Sequence, residues 1–208
     1  MKKFLLFTLV LNSLLYAQSS VEVYLGNVWN MKEDITIGQN GQADIVINNA
    51  SFQTYALEEP VYYGVRFSYK TTQDTAWEIE MNHMKLYLQT THPDVQHLEV
   101  SHGYNLFWLN KAWYLDTFIF HVGAGFIIAH PDIIVRNLTN YKDGYAGNHL
   151  AGATVQTSIQ KKFDISNHWF LFLEAKLVCA LANIPIAQGS VVIPNRSLHA
   201  DFGLGYNF

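Results

Sequence analysis

The sequence predicts an all-β fold, an eight-stranded antiparallel transmembrane β-barrel with long extracellular loops, and three observations lead to it. The chain of 208 residues is 50% hydrophobic but only 14% charged, and apolar residues alternate with polar ones. After residue 17 no run of about 18 apolar residues exists, which excludes membrane-spanning helices. Connections between the alternating segments are short and long in turn, as in outer-membrane barrels.

The N-terminus has the pattern of a secretory signal. Two lysines precede an apolar stretch from Phe4 to Leu15, and Ala17 is a small residue suited to cleavage. We therefore expect residues 1–17 to be a signal peptide and residues 18–208 to be the barrel. The alternative, a membrane anchor, needs a longer apolar stretch.

Cysteine count and net charge limit the disulfides and the binding partners that the chain can have. The single cysteine, Cys179, cannot form an intramolecular disulfide. With 13 basic and 17 acidic residues the net charge is −4, so no nucleic-acid partner is expected. We expect a monomer whose partners are the lipid bilayer and lipopolysaccharide of a bacterial outer membrane.

The alternation defines eight candidate strands. They span 20–29, 61–70, 76–88, 98–110, 114–135, 149–163, 168–182 and 196–208. Short turns are expected at 71–75, near Asn110–Lys111 and at 164–167, and long loops at 30–60, 89–97, 136–148 and 183–195. The first long loop, 30–60, is elaborated and is predicted to carry a small hairpin.

The inner face of the predicted barrel collects charged residues. An eight-stranded barrel has an interior that side chains just fill, so buried charges there need partners. Strand parity places two cations and four carboxylates in this lumen network: Arg66, Glu78, Glu80, Glu174, Lys176 and Asp201. A carboxylate pair for acid–base catalysis is the less favoured interpretation, since a filled lumen denies access to substrate.

Most histidines fall at the predicted outer rim. His83, Lys85 and Tyr87 continue a lipid-facing series, and a hairpin centred near Pro93 brings His83 opposite His102. Parity assigns His102 to a lipid-facing series with Leu98, Val100, Tyr104 and Leu106. Three interpretations stay open for His83 and Lys85: a bulge turns them inward, they meet lipid head groups, or Lys85 merely snorkels to the interface.

Two His-Pro-Asp tripeptides, at His92 to Asp94 and at His130 to Asp132, lie in the outer half. Imidazole and carboxylate at this spacing can hold a divalent metal, with His92, Asp94, His130 and Asp132 as ligands. The alternative is a turn capped by a side chain. Ser101 and His102 are adjacent and are expected to point to opposite faces, which argues against a hydrolytic pair.

Several segments in order resemble the lipid A oxidase-like outer-membrane barrels. The resemblance runs from about Ser51 to Phe208. It is carried by PVYYGVR at 60–66, EMNHMKLY at 80–87, SHGYNLFWLN at 101–110, Gly123-Ala124-Gly125, His130-Pro131-Asp132, LAGATVQ at 150–156 and WFLFLEAK at 169–176. In the family a proline occupies the place of Ala153, and a proline precedes the histidine where Pro131 here follows His130.

The resemblance implies an enzyme that uses oxygen to convert the proximal glucosamine of lipid A to an aminogluconate. Under this hypothesis His83 and His102 are catalytic, Lys85 and Tyr87 bind substrate, and His130 with Asp132 completes a metal site. The sequence also allows a non-catalytic structural or partner-binding barrel. Lipid A deacylation is a third choice, and a general porin is the least favoured, because eight strands leave no open lumen.

Overall fold

The computed structural model describes residues 19–139 and 147–208, so the predicted signal peptide lies outside the described residues. Strands make up nearly all of the regular structure in these two ranges. They are β1 (Ser19–Asn30), β2 (Glu33–Gln39), β3 (Ile45–Ala50), β4 (Phe52–Gln53), β5 (Tyr63–Lys70), β6 (Thr75–Leu88), β7 (Val95–Leu115), β8 (Phe118–Ala129), β9 (Asp132–Val135), β10 (Leu138–Thr139), β11 (His149–Asp164), β12 (Trp169–Ile186) and β13 (Gly189–Asn207).

Eight of these strands close into a ring. The order is β1, β5, β6, β7, β8, β11, β12 and β13, and β13 pairs with β1 over Asn30–Ser197 to Ser20–Asn207. Every neighbouring pair in the ring is antiparallel. Closure pairs the backbone groups that lipid would leave unsatisfied. The predicted eight-stranded barrel is confirmed.

The outer wall of the ring carries a belt of exposed apolar side chains. Alternate residues on each strand point outward, such as Ile79 (66% exposed) and Leu173 (57% exposed). Aromatic side chains cluster at the end of the barrel that bears the short turns, which we call the periplasmic end. They are Trp77, Trp113, Phe118, Trp169, Tyr206 and Phe208. An apolar belt flanked by aromatic residues is the outer surface that a lipid bilayer requires.

Beyond the belt, different strands form the wall of the barrel. At the end opposite the periplasmic turns, which we call the outer rim, β1 stops at Asn30 and β5 begins at Tyr63. Above them β2 pairs with the start of β13 and with β3, while β4 pairs with the end of β6. In the same way β9 takes the place of β8 beside β7. The first long loop thus extends the wall outward.

The interior has two layers. The periplasmic half of the lumen holds the charged network described below, with Tyr24, Phe170 and Phe172 packed beside it. The outer half is filled by apolar side chains that form one cluster, including Ile37, Ile47, Leu86, Val100, Ile133, Ile184 and Ile193. Where the wall leaves the bilayer, apolar residues therefore turn inward, as they do in water-soluble barrels.

Some predicted boundaries and orientations are wrong. β7 continues to Leu115, so its turn lies at residues 116–117 and not near Asn110–Lys111. The predicted strand 114–135 is interrupted at residues 130–131, and the predicted loop 183–195 is almost wholly strand. Four residues assigned to the lipid-facing series instead belong to the inner cluster: Leu98, Val100, Tyr104 and Leu106.

Candidate functional site

Six polar residues form a patch on the outer wall just above the lipid-facing belt. We call this patch the rim cluster: His97, Glu99, Ser101, His102, His130 and Asp132. Strand β7 supplies the first four, β9 supplies Asp132, and His130 lies in the connection between β8 and β9. On the same outward series of β7, closer to the bilayer, lie Phe107 and Leu109. A molecule that reaches the patch sideways therefore comes from the outer leaflet.

A bulge in β7 creates this arrangement. Met84 of β6 is opposite Tyr104, and Leu86 is opposite Val100, so two steps on β6 match four on β7. Gly103 adopts a φ of +136° within the bulge, a conformation that favours glycine. The extra residues re-aim His102 outward, where it is exposed, although its even-numbered neighbours face inward.

The upper part of the rim cluster is suited to a metal ion. His97 Nε2 lies 3.3 Å from Glu99 Oε2 and 3.9 Å from Asp132 Oδ2, and one ligand atom from each residue fits within 4.8 Å of the others. No other group of three such residues is found in the described ranges. One imidazole with two carboxylates is a donor set for divalent transition metals.

The lower part of the rim cluster links a hydroxyl to two imidazoles. Ser101 Oγ donates to Glu99 Oε1 at 2.6 Å and lies 3.2 Å from His102 Nδ1. The rings of His102 and His130 are 5.1 Å apart at 34°. Ser101 and His102 therefore interact, contrary to the prediction from strand parity, because the bulge breaks the alternation.

Only part of the predicted metal set comes together. Asp132 joins His97 and Glu99, while the ring of His130 packs at a tilt against the ring of His102. His92 and Asp94 lie apart: the Asp94 backbone N–H donates to His92 Nδ1, and the Asp94 carboxylate pairs with Arg136. His97 and Glu99 were missed because they belong to no short motif, and only the pairing of β7 with β9 brings them to Asp132.

His83 sits at the upper edge of the belt, next to Asn105 and not opposite His102. His83 and Asn105 are cross-strand partners, and His83 Nδ1 lies 2.7 Å from Asn105 Oδ1. Tyr63 stacks on the imidazole with ring centroids 5.2 Å apart at 22°. The predicted pairing of His83 with His102 is wrong because it assumed an unbulged hairpin.

Lys85 and Tyr87 lie on the outer wall beneath the segment 54–62. Lys85 is only 1% exposed, and its Nζ donates to the Glu58 carbonyl oxygen at 2.9 Å. Burial lowers the pKa of Lys85, and the carboxylates of Glu58 and Glu99 partly oppose this shift. Burial raises the pKa of Tyr87, reinforced by Glu99 and Glu58. Lys85 therefore faces outward but is covered.

The lumen network lies in the other half of the barrel. Arg66 donates to Glu22, Glu80 and Glu174 at 2.8 to 3.2 Å. Lys176 Nζ contacts Glu80 at 2.7 Å and Asp201 at 3.2 Å. Glu78 is 3.7 Å from Arg66, and 2.8 Å from His121.

The structure thus brings together all six residues expected in the lumen. Glu22 and His121 were missed as members of the network, although their inward parity could have identified them. His199, expected in the outer half, lies buried here and contacts Tyr62 at 2.9 Å. The residues of the network are buried, so the network fills the interior of the barrel and forms no part of a surface site.

Comparison with known proteins identifies the fold. No family model and no curated protein matches the chain. Among solved structures, the outer membrane protein AlkL in lipid bilayers is similar with a TM-score of 0.51 and 13% identity, covering 92% of this chain and 90% of AlkL. This chain has the outer-membrane β-barrel fold.

Two further solved structures are similar at lower scores. The attachment invasion locus protein of Yersinia pestis has a TM-score of 0.44 and 8% identity, covering 92% of this chain and 99% of its own. The outer membrane protease OmpT from Escherichia coli has a TM-score of 0.45 and 6% identity, with coverages of 92% and 97%. Among the described residues no helix is long and apolar enough to cross a membrane. The fold and the apolar belt assign the chain to the bacterial outer membrane.

Proposed function

We propose that this barrel oxidises the proximal glucosamine of lipid A in the outer leaflet, using the rim cluster. The observation that carries the proposal is the position of His97, Glu99 and Asp132 on the outer wall directly above the belt. Asp132 lies four residues beyond Ile128, the ladder partner of Asn105 at the edge of the belt. At about 3.3 Å per residue this is roughly 13 Å along the strand, which is compatible with head-group height.

The reaction balances with dioxygen as the oxidant. A proximal glucosamine whose C1 hydroxyl is free loses two electrons and two protons, and dioxygen takes them up to give hydrogen peroxide. The resulting lactone adds water and becomes an aminogluconate, so lipid A gains one oxygen atom overall. In this proposal His102, whose ring lies beside that of His130, accepts the hydroxyl proton.

The donor set of His97, Glu99 and Asp132 fits a divalent transition metal. When bound, such a metal would supply the one-electron chemistry that dioxygen needs. His83 is a second candidate for proton transfer at the belt's edge. Lys85, with Tyr87 beside it, would bind a lipid A phosphate once the segment 54–62 shifts. In the structure the ammonium group of Lys85 donates to the Glu58 carbonyl oxygen, so that bond must break first.

The test is mass spectrometry of lipid A from outer membranes with and without this protein, from cells grown with and without air. Gain of one oxygen that requires both protein and air is expected. Asp132→Asn and His83→Ala should lose the activity, while Asp94→Asn, a carboxylate variant at the same rim but outside the cluster, should retain it. Metal content of the folded barrel gives a separate readout, because Asp132→Asn should lower it and Asp94→Asn should not.

One contact favours deacylation as a second candidate. Ser101 Oγ lies 3.2 Å from His102 Nδ1, a nucleophile–base distance close to the usual range. However, Glu99 accepts a hydrogen bond from Ser101 and lies beside His97, whereas the acid of a Ser-His-Asp triad binds the histidine that serves as the base. Loss of an acyl chain would establish hydrolysis. Unchanged lipid A in membranes that contain the folded barrel would instead favour the structural or partner-binding interpretation.

A further inference from the structure

A pocket of about 430 Å³ opens beside the rim cluster, farther from the bilayer. It lies between the segment that follows β4 and the end of the β6–β7 hairpin. The residues that matter for its chemistry are Tyr55, Tyr87, Gln89, Gln96, His97 and Glu99. His97 and Glu99 belong both to this pocket and to the rim cluster, so the two sites are continuous.

The lining combines aromatic surface with hydrogen-bonding groups. Tyr55 and Tyr87 pack edge to face, with ring centroids 5.2 Å apart at 67°. Tyr55 Oη donates to Gln89 Oε1 at 3.4 Å, and Gln89 Nε2 donates to the Tyr87 carbonyl at 3.1 Å. A pyranose ring has an apolar C–H face and a rim of hydroxyls, so aromatic rings beside amides, imidazole and carboxylate match it on both sides.

The pocket is built in advance. The Gln89 backbone N–H donates to the Ser51 carbonyl at 2.8 Å, and the Ser51 N–H donates to Thr90 Oγ1 at 3.0 Å. On the far side, Gln96 Oε1 accepts from the Asn137 N–H at 3.0 Å. These bonds fix both walls before a ligand arrives, which lowers the ordering cost of binding.

The order of features along the wall identifies the kind of ligand. Passing outward along β7, the apolar belt comes first, then the rim cluster, then the pocket. A glycolipid of the outer leaflet has the same order: acyl chains, glucosamines, then further sugars. We infer that the pocket is a saccharide subsite that holds a core sugar of lipopolysaccharide. The inference rests on the proposed function for the direction in which the glycan runs.

The test uses the full mature chain refolded in detergent and the lipid-free core oligosaccharide released from lipopolysaccharide by mild acid. Isothermal titration should show saturable binding by the wild type. Tyr87→Ala should weaken binding about tenfold or more, whereas Tyr87→Phe, which keeps the ring, should stay within about twofold. Tyr69→Ala, at the periplasmic end of β5, is the matched control and should bind as wild type does. Resistance of each barrel to unfolding in dodecyl sulfate verifies that the variants are folded.

The outcomes separate this inference from the proposed function. No saturable binding by the wild type, or equal binding by folded Tyr87→Ala, overturns the saccharide subsite. If lipid A is never oxidised but the oligosaccharide binds in a Tyr87-dependent manner, the oxidase proposal fails and the subsite stands. If lipid A with and without core sugars is oxidised equally and the oligosaccharide does not bind, the subsite fails and the oxidase proposal stands.

Discussion

Replacing Arg66 with methionine is expected to lower the free energy of unfolding by about 3–5 kcal/mol. The side chain is fully buried and binds three carboxylates, those of Glu22, Glu80 and Glu174, at 2.8 to 3.2 Å. Methionine fills a similar volume but donates no hydrogen bond, so these carboxylates lose their shared cation. The magnitude is that of breaking a buried ion pair from one side, since Lys176 remains to neutralise only part of the charge.

A double-mutant cycle with Glu174→Gln isolates the pair. Glu174 contacts Arg66 Nη2 through both oxygens at 2.8 Å, so removing both charges should cost less than the sum of the single losses by about 1–3 kcal/mol. Urea titrations of the barrel in lipid vesicles, followed by tryptophan fluorescence, measure these differences. Lys32→Met, at an exposed site, is the control and should change stability by less than about 0.5 kcal/mol. A loss below about 1 kcal/mol for Arg66→Met would refute the reasoning.

Three further predictions concern the wall and its site. Gly103→Ala should displace His102 and lower lipid A oxidation at least tenfold while the barrel still folds. The reason is that Gly103 has a φ of +136° and an added Cβ would lie 2.5 Å from the side-chain amide nitrogen of Asn105. Assays of oxidation, with mobility in dodecyl sulfate gels as the check on folding, test this prediction. Gly64→Ala should lower the unfolding free energy by about 1–3 kcal/mol, because its Cβ would meet the Tyr24 ring at 1.9 Å; urea titration measures this. Binding of phosphorylated lipid A should weaken as pH rises through the lowered pKa of Lys85, which is cationic only below that pKa; Lys85→Met should give a flat pH profile.

The membrane-spanning part of the fold could be predicted from sequence because one physical rule governs it. Within the bilayer, outward residues are apolar and inward residues are polar, and a period of two reports both. Strands β11 and β12 obey this rule along the belt, so their parity and the positions of Glu174 and Lys176 followed directly. The charged lumen could be anticipated for the same reason.

Outside the bilayer the rule reverses, and this explains the wrong assignments in β7. Leu98 and Val100 are apolar because they face a dry interior above the membrane, not lipid. Sequence alternation looks the same in both cases. The bulge at Gly103 then shifts parity again, so His102 faces outward as counting predicted, although its series faces inward, and its contact with Ser101 could not be derived by counting.

Proline explains the loop that proved to be strand. Pro185 and Pro194 suggest a break, since proline has no N–H for a ladder bond. Pro185 lies beyond Ala182, where the pairing of β12 with β11 ends. Pro194 falls between the stretch of β13 that pairs with β2 and the stretch that pairs with β1. Pro185 thus lies past the end of one ladder and Pro194 at a change of ladder partner, which are places where strands tolerate proline.

The reversal of wall polarity also fixes the height of the candidate site. On β13 the outward series runs from Tyr206 in the periplasmic girdle to Arg196, which pairs with Glu33. The ten intervening steps span about 33 Å along the strand, or about 25 Å after a tilt near 40°, which equals the usual belt height. On β7 the belt ends at Asn105, and the rim cluster begins at His102. Because the bulge turns His102 outward at that boundary, the polar groups of the site follow directly after Asn105, the last residue of the belt on this strand.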